Sequence, residues 1–130
     1  MRFAIIFCLL ACSACATFHE TEHLSPGFLN LNAKNFDGES VEVTGWMIMD
    51  GHEMALWDQK SDRDSNINPG RCVSLLVPTD ALDRIKPLSG SRVHVSGIFH
   101  KDIRGFFPLM FHNLCNISAV EIQGAEAVQF

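Results

Sequence analysis

Residues 36–46 read FDGESVEVTGW and residues 88–98 read LSGSRVHVSGI, the same phrase displaced by 52 positions. An apolar residue (Phe36, Leu88) precedes a turn glycine (Gly38, Gly90). Valines at a spacing of two follow (Val41 and Val43; Val93 and Val95), and then a second glycine (Gly45, Gly97). That alternation predicts two half-buried strands. A glycine inside a strand permits a bulge or a sharp bend. Two bent strands in equivalent settings predict a small closed barrel.

The flanking sequence extends the pattern. Ser25-Pro26 is a helix start, serine as N-cap and proline at the first helical position, and predicts a short N-terminal helix over 26–34 that buries Phe28 and Leu31. The repeated phrases predict strands at 40–49 and 91–100, with further strands at 53–59 (EMALWDQ), 72–78 (CVSLLVP) and 114–122 (LCNISAVEI). Residues 60–71 (KSDRDSNINPGR) read as a polar loop, dense in turn formers. Thr79 is placed to cap a short helix, DALDRIK, that stops before Pro87, and residues 124–130 (GAEAVQF) read as a loose tail.

Three strands, a helix and two more strands is the layout of the OB fold. The fold class expected is therefore mainly β: a five-stranded OB-like barrel at 25–123, with a short helix between strands three and four and a short N-terminal helix. In that topology strand one is long and bent and closes the barrel against strand four, the two strands made from the repeated phrase.

The first sixteen residues read as a secretory signal: Arg2, an apolar run from Phe3 to Ala11, then small residues. The run falls short of the ~20 apolar residues that span a bilayer. Ala14-Cys15-Ala16 fits a cleavage site that starts the mature chain at Thr17, whereas Ser13-Ala14-Cys15 resembles the end of a lipobox, with Cys15 acylated. Leu9-Leu10-Ala11-Cys12 is a second, shorter lipobox. Residues 17–24 would then be a tether. Without Arg2, 9 basic residues face 15 acidic ones, a net charge near −6. This lacks the basic footprint of a nucleic-acid binder, so no nucleic-acid partner is expected.

Cys72 and Cys115 are the cysteines beyond the signal, a candidate bridge in an oxidising compartment. OB-type barrels pair strands three and five in parallel, so cysteines opening both strands lie at one end of the sheet, near the usual ~5.5 Å between Cα atoms. The alternative is two separately buried thiols.

Several stretches resemble a family of small exported bacterial proteins with an OB-like barrel. They are FDGESVEVTG, then Glu53-Met54-Ala55-Leu56-Trp57, Gly97-Ile98-Phe99 and Arg104-Gly105. After Gly105 the chain departs from that pattern, with FFPLMF in place of a more polar run. The resemblance implies a periplasmic OB-type domain and no catalytic residues.

Asp50, His52, Glu53, Asp58, Asp62 and Asp64 could attract a divalent cation. Asp62-x-Asp64-x-Asn66 opens like a calcium loop, but Ile67 and Val73 stand where that loop needs glycine and glutamate. Solvated turns explain the same residues, and no metal or cofactor is expected. His94, His100 and His112 have no zinc spacing. No G-x-S-x-G and no phosphate loop occurs, so an enzyme is not expected. The 101–113 loop, KDIRGFFPLMFHN, either offers Arg104, Phe107 and Phe111 to a partner or plugs the barrel with its aromatics. Trp46 falls on the face opposite Val41 and Val43 unless a bulge at Gly45 reverses it, and would join Trp57 in a ligand platform or in the core.

The expectation is an exported, lipid-anchored, non-catalytic domain in the periplasm that recognises a protein or envelope component. An inhibitor or immunity-type protein is the second reading, and a metal-assisted hydrolase using His52 the third.

Overall fold

The computed structural model describes residues 23–65, 68–105 and 114–129. Its centre is a closed barrel of five strands: β1 (Ser40–Met49), β2 (Met54–Trp57), β3 (Cys72–Leu76), β4 (Arg92–His100) and β5 (Ala119–Ala127), in the order β1-β2-β3-β5-β4. β3 and β5 run parallel and the other neighbours antiparallel, which is the OB arrangement.

The two copies of the phrase are each other's partners. β1 and β4 pair with Val43 opposite Val95, Gly45 opposite Val93 and Val41 opposite Gly97. Each strand thus sets its glycine against a valine of the other. The turn glycines complete the symmetry: Gly38 N–H donates to Phe99 O at 2.7 Å, and Gly90 N–H donates to Met47 O at 2.8 Å. Both sit at positive φ, 79° and 83°, where glycine carries no Cβ penalty.

The in-strand glycines have another role. A Cβ on Gly45 would stand 2.5 Å from Trp57 O, and one on Gly97 would run into Glu121 O. They let neighbouring strands come close where the barrel folds over. The register of β4 against β5 also slips between Ser96 and Gly97, a bulge of the kind expected of a bent strand.

The first half of β1 pairs with β4 and the second half with β2, which leaves one edge of β1 open around Val43. Leu24 fills it: its N–H donates to Glu42 O at 3.0 Å and its carbonyl accepts from Thr44 N–H at 2.8 Å. Leu24, the last residue of the stretch read as a tether, is therefore paired with the barrel wall.

Inward residues of all five strands form the main core, including Val43, Met47, Leu56, Val73, Val95, Phe99 and Val120. Leu29 from α1 (Pro26–Leu31), with Ala81 and Ile85 from the crossover between β3 and β4, joins it. Ser25 Oγ caps α1 by accepting from Phe28 N–H at 3.2 Å, as expected of Ser-Pro. The buried face differs from the expected one: Pro26 and Leu29 point inward, while Phe28 is 46% and Leu31 87% exposed. The phase is set by Gly27, whose N–H donates to Asp58 Oδ1 at 2.8 Å, and by Asn30, whose Nδ2 reaches Gly70 O and Cys72 O, each at 2.8 Å. Helix α2 (Ala33–Phe36) follows, and Phe36 meets Phe28 edge to face.

The stretch expected to be a polar loop contains α3 (Lys60–Ser65) and a 3₁₀ turn, Pro69–Arg71, capped by Asn68 Oδ1. Helix α4 (Leu82–Ile85) stands between two 3₁₀ turns, the second of which runs through Pro87. Thr79 makes no side-chain cap. β2 and β3 are shorter than expected, and β5 is shifted toward the C-terminus. Residues 114–118 form an arm instead, held where Ser74 Oγ donates to Asn116 O at 2.7 Å and Ser74 N–H to Ser118 O at 2.9 Å. Residues 124–127 are the far half of β5, paired with Val93–Ser96, and not a loose tail.

Candidate functional site: the outer wall of β2 and β3

Alternation along β1 sends Val41, Val43, Met47 and Met49 inward and leaves Trp46 and Ile48 on the outer face. Trp57 is the register partner of Trp46 across β2. On this outer wall Ala55, Trp57 and Cys72 form a second apolar cluster, with Trp46, Ile48 and Cys115 packed against it. It is a satellite of the barrel's single interior, set on the outside of the wall. Trp57 is 4% exposed and acts as the floor, while Trp46 is half-buried beside it.

Cys72 and Cys115 are joined by a disulfide, with Cα atoms 6.3 Å apart, and the bond clamps the 114–118 arm to β3. The bridge forms although Cys115 precedes β5 by four residues, because parallel β3 and β5 bring the approach to both strands together.

The β1–β2 turn supplies the polar part. Asp50 Oδ1 accepts from His52 N–H at 2.7 Å and from Glu53 N–H at 2.8 Å, which folds the turn. Those two N–H groups, His52 first, lower the Asp50 pKa. Glu53 is thereby aimed at the wall: Oε1 accepts from Trp57 Nε1 at 2.8 Å and Oε2 from Arg63 Nε at 2.9 Å. Arg63 comes from α3, and its guanidinium carbon lies 5.9 Å from the Trp46 ring centroid, a cation–π distance. The Glu53 hydrogen bond, with Asp50 and Asp64 nearby, raises the Arg63 pKa and keeps it charged. Beside this group opens a cavity of about 450 Å³, lined by His52, Glu53, Trp57, Arg63, Pro69, Leu114 and Cys115.

Of the residues expected at a binding face, Trp46 and Trp57 meet on this wall. Arg104 does not line the cavity. It forms a two-pronged pair with Asp102, Nε to Oδ1 at 3.0 Å and Nη2 to Oδ2 at 2.6 Å, which lowers the Asp102 pKa to about 2. Phe107 and Phe111, and Cys15 at the expected lipidation site, lie outside the described residues. Sequence reading missed Arg63, because a helix without an apolar stripe looks like a loop. The role of Glu53 is likewise not legible from the spacing Glu53-x-x-x-Trp57, because it depends on the turn that Asp50 folds.

The carboxylates around His52 have other engagements. Burial raises the Asp58 pKa, against the opposing hydrogen bond from Gly27 N–H. Asp62 Oδ1 lies 3.5 Å from Arg71 Nη1. Among the described residues, no group of three or more His, Cys, Asp and Glu side chains is arranged to hold a metal ion. A second cleft, about 430 Å³, lies on the wall formed by β1, β4 and β5, where His23 stacks on His94 at 4.1 Å and Thr44 Oγ1 lies 2.6 Å from His94 Nδ1.

No protein-family model matches the chain. No curated protein sequence matches it either. Among solved structures, asparaginyl-tRNA synthetase from Pyrococcus horikoshii complexed with asparaginyl-adenylate is similar over 73% of this chain and 20% of that one, at 20% identity and a TM-score of 0.44. The asparaginyl-tRNA synthetase from Pyrococcus horikoshii described without the adenylate is similar over 73% of this chain and 21% of its own, at 19% identity and a TM-score of 0.43. The chain thus spans about a fifth of the length of the proteins it matches.

Proposed function

We propose that this chain is an exported, lipid-anchored, non-catalytic binding domain that recognises a protein or envelope component through the outer wall of β2 and β3. The observation that carries the reading is the second apolar cluster, with its tryptophan pair, beside a cavity on the outside of a closed barrel. In OB barrels that wall and its flanking loops form the usual binding surface. Export rests on the signal-like first sixteen residues and the acylatable Cys15, and the Cys72–Cys115 bond suits an oxidising compartment. The acidic net charge and the carboxylates around the cavity disfavour a nucleic-acid ligand.

A photo-crosslinking amino acid placed at position 52, which lines the cavity, tests the reading in intact bacteria. Position 126, which lines the second cleft on the β1, β4 and β5 wall, is the control. An adduct of one defined mass from position 52 and none from position 126 is the expected result. No adduct from position 52, or equal adducts from both, contradicts it.

A further inference from the structure

Arg63 occupies the mouth of the cavity in a particular way. Its guanidinium carbon lies 5.9 Å from the Trp46 ring centroid, its Nε is held by Glu53, and the same side chain lines the cavity. This is the arrangement by which a protein surface grips a cation: an aromatic face, a carboxylate at the edge, and an apolar floor in Trp57. The charges around it have one prevailing sign. Asp50, Glu53 and Asp64 all act on Arg63, so this single guanidinium is set among three carboxylates. Glu53 at the cavity edge, with Asp50 and Asp64 near it, favours an added cation over an added anion.

We propose that Arg63 is a built-in placeholder and that the wall takes a basic side chain, arginine above all, from a partner protein, which displaces Arg63 from Trp46 and Glu53. The proposal rests on the binding reading above and names the chemistry of its ligand. Arginine is favoured over lysine because the seat already holds a guanidinium within cation–π distance of Trp46 while Glu53 accepts its Nε–H. The Arg63 side chain is one-third exposed, so it can swing out and regain hydration, at the cost of its Glu53 bond and Trp46 contact, a cost that removing Arg63 abolishes. Glu53 then keeps its bond from Trp57 Nε1 while it receives the incoming cation.

The chain has two tryptophans, both on this wall, so intrinsic fluorescence reports on the site without a label. Titrations of the purified protein with tri-arginine, tri-lysine and tri-glutamate peptides are compared for wild type, R63Q and R63Q combined with W46L. Thermal melting verifies that each variant folds. R63Q is expected to bind tri-arginine at least tenfold more tightly than wild type, with the affinity falling as salt is added. W46L is expected to abolish that gain, and tri-glutamate to leave the fluorescence unchanged. Unchanged or weaker binding of tri-arginine to R63Q, or tri-glutamate binding as well as tri-arginine, overturns the proposal. If the adduct from position 52 persists in that case, the cation chemistry fails and the binding wall stands. Loss of the adduct as well removes the reading underneath.

Discussion

Replacing Cys72 and Cys115 together by alanine lowers the unfolding free energy by about 4 kcal/mol, the chain-entropy value for a loop of this length. The bridge spans 43 positions of sequence. Domains of this size are stable by about 5–15 kcal/mol, so this one change removes a large fraction of the total. The fold survives, because the arm at 114–118 keeps other attachments: Asn116 Nδ2 to Pro69 O at 2.9 Å, and Ile103 N–H to Ile117 O at 2.9 Å. The outer wall suffers more than the core. Cys72 is fully buried in the second cluster and Cys115 lines the cavity, so the alanine pair loosens the packing around Trp57. Urea denaturation of the oxidised wild type and of the double variant measures the loss. A difference below about 1 kcal/mol would mean that the bridge merely decorates an arm already held by hydrogen bonds.

The second large effect is at Gly97, where alanine is expected to cost about 3–5 kcal/mol, at the top of the range for point substitutions. A Cβ there meets backbone, the carbonyl of Glu121, as well as Val120 Cγ1 at 2.9 Å. Backbone cannot rotate away as a flexible side chain can, so β4 and β5 would have to part at their bulge. The other glycine of the same phrase is an internal contrast. Around Gly90 a Cβ would find open space, and alanine there meets just the cost of a positive φ, about 1–2 kcal/mol. Thermal or urea melts of G97A and G90A should therefore separate by several-fold in their loss of stability. Equal losses would show that both glycines serve turn conformation and that close strand approach at Gly97 is unimportant.

The legible parts of this fold are those where one face of a strand is buried and the other is not. β1 and β4 stand at nearly their expected limits, because alternating valines with glycines at matched positions admit one register. The disulfide was legible for a topological reason: once the strand order is accepted, parallel β3 and β5 leave Cys72 and Cys115 few other partners. The illegible parts depend on tertiary contacts. Residues 124–127, Gly-Ala-Glu-Ala, have weak strand propensity and join β5 because the nine-residue β4 offers a full-length edge. Asn116 and Ser118, by contrast, lie in a segment with strand-like residues, but their polar side chains bind nearby carbonyl and amide groups and hold it as an arm.

Helix α1 failed in phase rather than in existence. Ser-Pro marks its start correctly, but the choice of Leu29 over Phe28 and Leu31 for the core depends on Gly27 meeting Asp58, 31 positions away. The candidate site was half legible. Trp46 falls on the outer face by alternation alone. Its companion Arg63 belongs to α3, which buries none of its residues and so leaves no apolar period to read.

The measurement that bears most directly on the proposed role is the native mass of the full-length protein, gently extracted from a bacterial envelope. The expected species is a processed chain that begins at Cys15, heavier by its acyl groups, lighter by the two hydrogens of the Cys72–Cys115 bond, and carrying a basic companion protein. A bare chain with two free thiols and no companion would contradict the exported, anchored binding domain.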